Sequence, residues 1–199
     1  MELFERLDGV RERWNVLQHS FYTRWERGEL TNDELAFYAG EYRHAVVALA
    51  RTAAAAGSEE HASEEQAHID LWDDFAAALD APLDREPTPE TTSCAKAWTA
   101  EDPLEAAAIL YAVEASQPAI SATKLAGLVD HYGFAPESPG TAYFELHAER
   151  DHEHAAESRA TLEAEAMPSD TKRLVAAAEA ALAGNWQLLD GVEAVFAAA

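Results

Sequence analysis

Residues 147–154 read His-Ala-Glu-Arg-Asp-His-Glu-His, and this stretch decides the fold because three metal-ligand types recur in it at helical spacing. On a helix advancing about 100° per residue, His147, Asp151 and His154 fall at about 0°, about 40° and about −20°. Tyr143, Phe144, Ala155 and Leu162 share that stripe, so the three polar groups point into a core with the apolar ones. A bare imidazole or carboxylate there would cost on the order of several kcal/mol. Either a protein partner or a bound cation must satisfy it. Glu149 and His152 lie at about 200° and about 140° on the same wheel and read as surface residues.

Working outward, three more helices offer polar groups on apolar faces. Thr31-Asn-Asp-Glu34 is a capping box opening a helix to about Ala56, before Gly57, and Glu41 interrupts its face of Phe37, Tyr38, Ala45, Ala48 and Leu49. A following helix starts at Ser58 or Ser63 and runs to about Ala78, with Leu71, Trp72 and Phe75 inside. Measured around the axis from His68, Glu65 lies at about 60°, Glu64 at about −40° and His61 at about 20°, so all four can share that face. Asp102-Pro-Leu-Glu105 starts a third helix that carries Leu104, Ala107, Leu110, Tyr111, Leu125 and Leu128, with Glu114 at its centre and a kink at Pro118.

The rest of the chain follows the same period. Residues 3–18 form an amphipathic helix that breaks near His19-Ser20, and Phe21, Tyr22 and Trp25 continue as a short turn or helix to Gly28. A loop with Pro82, Pro87 and Pro89 leads to a short helix near 90–98. Gly133 to Gly140 turns into the helix over 141–166, and Pro168-Ser169 caps a last helix to about Phe196. The chain reads as an all-α bundle of seven to eight helices, without strands, in one domain over 1–199.

Composition narrows the function. The chain has 199 residues, 48% of them hydrophobic, enough for a real core. It carries 37 acidic against 14 basic side chains, a formal charge of −23, which argues against nucleic acid or an anionic membrane as a partner. Only Lys96, Lys124 and Lys172 are lysines, a balance expected of a protein kept soluble in the salty cytoplasm of a halophile. No signal-like or membrane-spanning apolar run is present. Cys94 stands alone, so a disulfide or a thiolate zinc site within the chain is excluded and any metal must be held by His and carboxylate.

The convergent set is therefore Glu64 or Glu65, with His68, Glu114, His147, Asp151 and His154. Three carboxylates and neutral imidazoles bring −3 against the +4 of two divalent ions, which leaves open positions and a small charge for dioxygen. The rival is a set of core polar groups that satisfy one another. A ferritin-like arrangement of Glu41, Glu65/His68, Glu114 and Glu149/His152 is excluded by the helix faces. Glu41, His44 and Tyr111 remain as groups that could support the ligands or touch a substrate.

Several stretches, His19-Ser-Phe-Tyr-Thr-Arg-Trp-Glu-Arg-Gly-Glu-Leu-Thr, Tyr38-Ala-Gly-Glu-Tyr42, His68-Ile-Asp-Leu-Trp72, Leu110-Tyr-Ala-Val-Glu114-Ala-Ser-Gln-Pro118 and Tyr143-Phe-Glu-Leu-His147, resemble the haem-oxygenase-like di-iron oxidases, especially their CADD branch. The resemblance covers nearly the whole chain. It implies a TenA- and PqqC-like fold, two iron ions or one iron and one manganese, dioxygen as co-substrate, and His68, Glu114, His147, Asp151 and His154 as ligands, with Glu65 first and Glu64 second for the remaining glutamate. It also implies synthesis of p-aminobenzoate from the protein's own tyrosine with a nearby lysine, the matching positions being Tyr22, Tyr42 and Lys124. On a straight helix Lys124 would sit about 15 Å along the axis from Glu114.

The expected activity is thus oxygen-dependent oxidation of a small organic substrate or of a tyrosine of the chain itself. The alternatives are a TenA-like thiaminase or aminopyrimidine hydrolase with a cysteine nucleophile, a PqqC-like cofactorless oxidase, and a non-enzymatic ligand-binding protein. Ala-rich helix surfaces suggest a homodimer.

Overall fold

The computed structural model describes residues 2–197, so Met1, Ala198 and Ala199 of the expected 1–199 domain lie outside the described residues. The first helix, α1 (Glu2–Arg13), is shorter than the 3–18 expected. Asn15 is the reason: its side-chain oxygen accepts from the Leu17 N–H at 3.1 Å and turns Val16–Gln18 into a single 3-10 turn. His19 then starts α2 (Ser20–Glu26), its Nδ1 accepting from the Phe21 N–H at 3.0 Å. The capping box of Thr31 and Glu34 opens α3 (Asn32–Ala56), and Gly57 ends it at φ 95°, a conformation open to glycine at little cost. Ser58 caps α4 (Glu59–Ala78), the earlier of the two starts the sequence allows.

Thr88 caps α5 (Pro89–Ala97), with Pro89 at a first-turn position where its missing N–H costs nothing. Two helices, α6 (Pro103–Glu114) and α7 (Gln117–His131), replace the single kinked helix expected around Pro118. Pro118 sits in the first turn of α7, and the chain breaks before it at Ala115–Ser116. Arg11 of α1 secures the break, donating to the Ala115 carbonyl at 2.6 Å and to Ser116 Oγ at 3.2 Å. The long α8 (Pro139–Glu165) begins two residues earlier than expected, and α9 (Thr171–Ala197) follows a 3-10 turn over Pro168–Asp170. With α6 and α7 counted as the one helix expected, the described residues form eight helices and no strand.

Three tryptophans fix how these helices meet. Trp25, Trp72 and Trp98 are fully buried, and each donates its indole N–H to a backbone carbonyl of another helix: Lys124 (3.0 Å), Ala39 (2.8 Å) and Ala181 (2.8 Å). Each pairing secures a large apolar surface and satisfies its polar tip. The Trp25 contact matters most for the site, because Gly127 lets α7 close on α2; a Cβ there would lie 2.6 Å from the indole ring. That approach turns Lys124 inward. The interior is then lined by α3, α4, α6, α7 and α8, which pack on one another around one continuous core. No helix among the described residues is long and apolar enough to cross a membrane.

Candidate metal centre

Glu65 and His68 come from α4, Glu114 from the last turn of α6, and His147, Asp151 and His154 from one face of α8. All six are buried, between 1% and 4% exposed, and they converge. A seventh group joins them. His61, on the same α4 face two turns before His68, places Nε2 2.9 Å from Glu114 Oε1, and its ring stacks on His154 at 4.1 Å. His61, Glu65, Glu114 and His154 offer ligand atoms that all lie within 4.8 Å of one another. Glu65 Oε1 is the hub, 2.9 Å from His68 Nδ1, 3.7 Å from His154 Nδ1 and 3.9 Å from His61 Nε2. His68 and His147 meet edge to face at 4.6 Å beside it.

The orientation of these atoms tests whether the cluster satisfies itself. Despite the short separations, His61 Nε2, Glu65 Oε1, His68 Nδ1, both Glu114 oxygens, His147 Nε2 and His154 Nδ1 are buried without a hydrogen bond of acceptable angle. Two flanking carboxylates explain how the imidazoles are turned. Asp151 takes the His147 Nδ1 proton on both oxygens, at 2.8 and 2.9 Å, which leaves Nε2 free. Glu64 takes the His154 Nε2 proton at 2.7 Å, which leaves Nδ1 free. His147 and His154 thus each aim a lone pair at the centre while the other nitrogen is held, the usual arrangement of histidines that bind metal. Orphaned lone pairs on three helices facing one point fit a cation and do not fit a self-satisfied polar core.

Charge gives the same result. Three buried carboxylates, Glu65, Glu114 and Asp151, share the cluster, while Arg150 pairs with Glu64 at its half-exposed edge, 2.7 Å away. Burial pushes the Glu114 carboxyl up, only partly offset by His61. For Glu65 burial acts the same way, but the imidazoles of His68, His147 and His61 outweigh it and hold the group low. Burial alone would lower His61 and His147, yet Glu114 raises His61 and Asp151 raises His147. Without a metal, these carboxylates draw protons onto the imidazoles; divalent ions would compete for the same sites and displace those protons.

A second buried group of side chains lies alongside. Lys124 Nζ donates to Tyr38 Oη at 2.7 Å, and Tyr38 Oη is 2.8 Å from Tyr22 Oη. The rings of Tyr22 and Tyr42 stand 4.7 Å from the amine. Aromatic faces attract an ammonium by about 0.5–2 kcal/mol. Nothing in this nest carries a formal negative charge, however, and burial drives the Lys124 amine well below its ordinary range, toward the neutral form. The nest adjoins the cluster through Tyr143, whose ring lies 4.1 Å from that of His147 and 4.8 Å from that of Trp72.

Three residues held in second place lie elsewhere. Glu41 is buried but accepts from the Thr88 N–H (2.9 Å) and hydroxyl (3.0 Å), so its charge serves the start of α5. His44 lines a groove with Arg43, Arg51 and Lys96, and Tyr111 donates to Asp8 at 3.0 Å in a surface cleft. Glu64 is nearby, but it buttresses His154 while Glu65 occupies the interior. Tyr38, Tyr143 and His61 are the site residues missed from the sequence. For His61 the signal was its place on the same helix face as His68; for the tyrosines only tertiary packing distinguishes them from ordinary core aromatics.

A family model described as iron-containing redox enzyme matches residues 31–186. The chain is 32% identical to a 4-aminobenzoate synthase of Chlamydia muridarum, covering 90% of this chain and 85% of that one. It is 29% identical to a 4-aminobenzoate synthase of Nitrosomonas europaea, covering 94% and 89%. A solved structure from Shewanella denitrificans, a domain of unknown function with a heme oxygenase-like fold, superposes with a TM-score of 0.81 at 20% identity, covering 98% of this chain and 94% of that one. A CADD-like protein of unknown function from Nostoc punctiforme gives 0.61 at 16%, covering 96% and 97%.

Proposed function

This chain is an enzyme of the iron-containing redox enzyme family, with a haem-oxygenase-like fold, and from that premise we propose that it forms 4-aminobenzoate in an oxygen-dependent reaction at a centre of two metal ions, using its own tyrosine and lysine. The ions are two irons, or one iron and one manganese. His61, Glu65, Glu114 and His154 would hold one, and His68 and His147 the other, with Asp151 beside them through its hydrogen bond to His147. Three carboxylates against two divalent ions leave a net charge of about +1, suited to binding reduced oxygen. When bound, the ions supply one-electron steps that activate dioxygen, chemistry that side chains do not perform alone.

The observation that carries this reading is an orphaned His/carboxylate cluster alongside a buried lysine amine tied to tyrosine hydroxyls. The chain's residues have separable roles. Burial drives Lys124 toward the neutral form, whose lone pair is available, and its hydrogen bond to Tyr38 holds it over the Tyr22 and Tyr42 rings. Tyr38 also orients the Tyr22 hydroxyl, and burial holds the Tyr22 and Tyr38 phenols protonated. The surrounding rings exclude bulk water from reactive intermediates. A TenA-like hydrolase has less support, since Cys94 is packed against Gly184 and burial keeps its thiol protonated.

The test is to express the protein with ring-labelled tyrosine, load it anaerobically with ferrous ion and admit oxygen. Labelled 4-aminobenzoate at no more than one per chain is expected. Unlabelled product, or turnover only with an added organic substrate, would assign the precursor role to an outside molecule. We read the remaining properties in the same frame: one domain over 1–199, a homodimer, and a charge of −23 suited to the cytoplasm of a halophile.

A further inference from the structure

The break between α6 and α7 places Val113 on one side of a small recess and Gln117 on the other. Gln117 is 3% exposed and reaches Tyr42 Oη with its amide nitrogen at 3.5 Å, while its carbonyl oxygen has no partner. Asn185 of α9 is 5% exposed, and its carbonyl oxygen is likewise unpartnered. Both residues line the same recess, together with Asn15 and Ser116. Its free volume is 10 Å³, room for about one water molecule. Asn15 and Ser116 also line the outer cleft of 480 Å³ between α1 and the helix break, so one wall separates the recess from solvent.

We propose that this recess is a built site for a single water molecule and the inlet through which water and protons reach Tyr42. Two buried amide oxygens on different helices demand a donor with two hydrogens, and a protein group supplies neither. If the Gln117 amide is turned over, its oxygen takes the Tyr42 proton and its NH₂ faces the recess. A water still bridges it to Asn185. The chain of contacts is then Tyr42, Gln117 and the water, with Asn15 and Ser116 between that water and the cleft, whereas the other faces of the tyrosine nest are closed by Trp72, Phe144 and Trp98. The inference is independent of the reaction assigned above, because it concerns solvent access in the resting protein.

The experiment combines a crystal structure of the full-length protein, at about 1.5 Å or better, with side-chain amide hydrogen exchange of Gln117 by NMR. A water within hydrogen-bond reach of both Gln117 and Asn185 is expected. Asn185→Leu should fill the recess, expel that water and slow Gln117 exchange by about tenfold or more. Ser116→Val, at the wall between recess and cleft, should slow exchange while leaving the water in place, and it decides the matter if Asn185→Leu does not fold. A dry recess in the parent, or exchange unchanged in the folded variant, would overturn the proposal.

Discussion

Glu114→Gln is expected to lower oxygen consumption by about 10²-fold or more and to weaken metal binding, while making the metal-free protein more stable at neutral pH. The two halves of that result have one cause. Glu114 is buried with both oxygens unpartnered, and burial raises its pKa despite His61. Because the folded pKa lies above the unfolded one, this group penalises folding once the pH rises above the ordinary glutamate range. Below that range the penalty is absent. The amide removes the charge and the penalty, but it is a poor ligand. Thermal unfolding of parent and variant, each with and without ferrous ion, checks the sign: the variant melts higher than the parent when metal-free and lower when loaded. A purely structural cluster would lose stability under both conditions.

Lys124→Met is the second large effect: loss of 4-aminobenzoate formation to background together with a rise in Tm of about 2–8 °C at pH 7. The lysine is fully buried among five aromatic rings, and its folded pKa is well below the ordinary value. Below the unfolded lysine pKa, the unfolded chain therefore holds a proton that the folded one releases, so the penalty shrinks as pH rises toward that pKa and grows as pH falls. Melting curves across this range should show the Tm advantage of the variant narrowing with increasing pH. An ammonium stabilised by the rings would give the opposite: a Tm loss on substitution.

Much of this site is readable from helical period alone. His147, Asp151 and His154 stand out because the α-helical repeat puts three polar groups where the apolar ones point. The period does not say how α4 is rotated against α8. Glu64 and Glu65 differ by about 100°, and what separates them is Arg150 and His154 holding Glu64 at the edge. His61 carried the right angle, but nothing local distinguished it from a histidine on a long acidic helix. Glu41 was correctly placed on a buried face; its partner, Thr88, lies 47 positions away and belongs to a loop whose path periodicity does not describe. Lys124 was too far from Glu114 on a straight helix. The break at Ala115–Ser116, with Gly127 against Trp25, redirects α7 and brings the amine among the tyrosines.

The most direct test of the metal centre is anomalous scattering at the iron and manganese edges from crystals of anaerobically loaded protein. Two peaks about 3.5–4 Å apart are expected, one among His61, Glu65, Glu114 and His154 and the other beside His68, His147 and Asp151. A cluster without a peak, its imidazoles and carboxylates bonded to one another, would contradict it, as would a single ion at full occupancy.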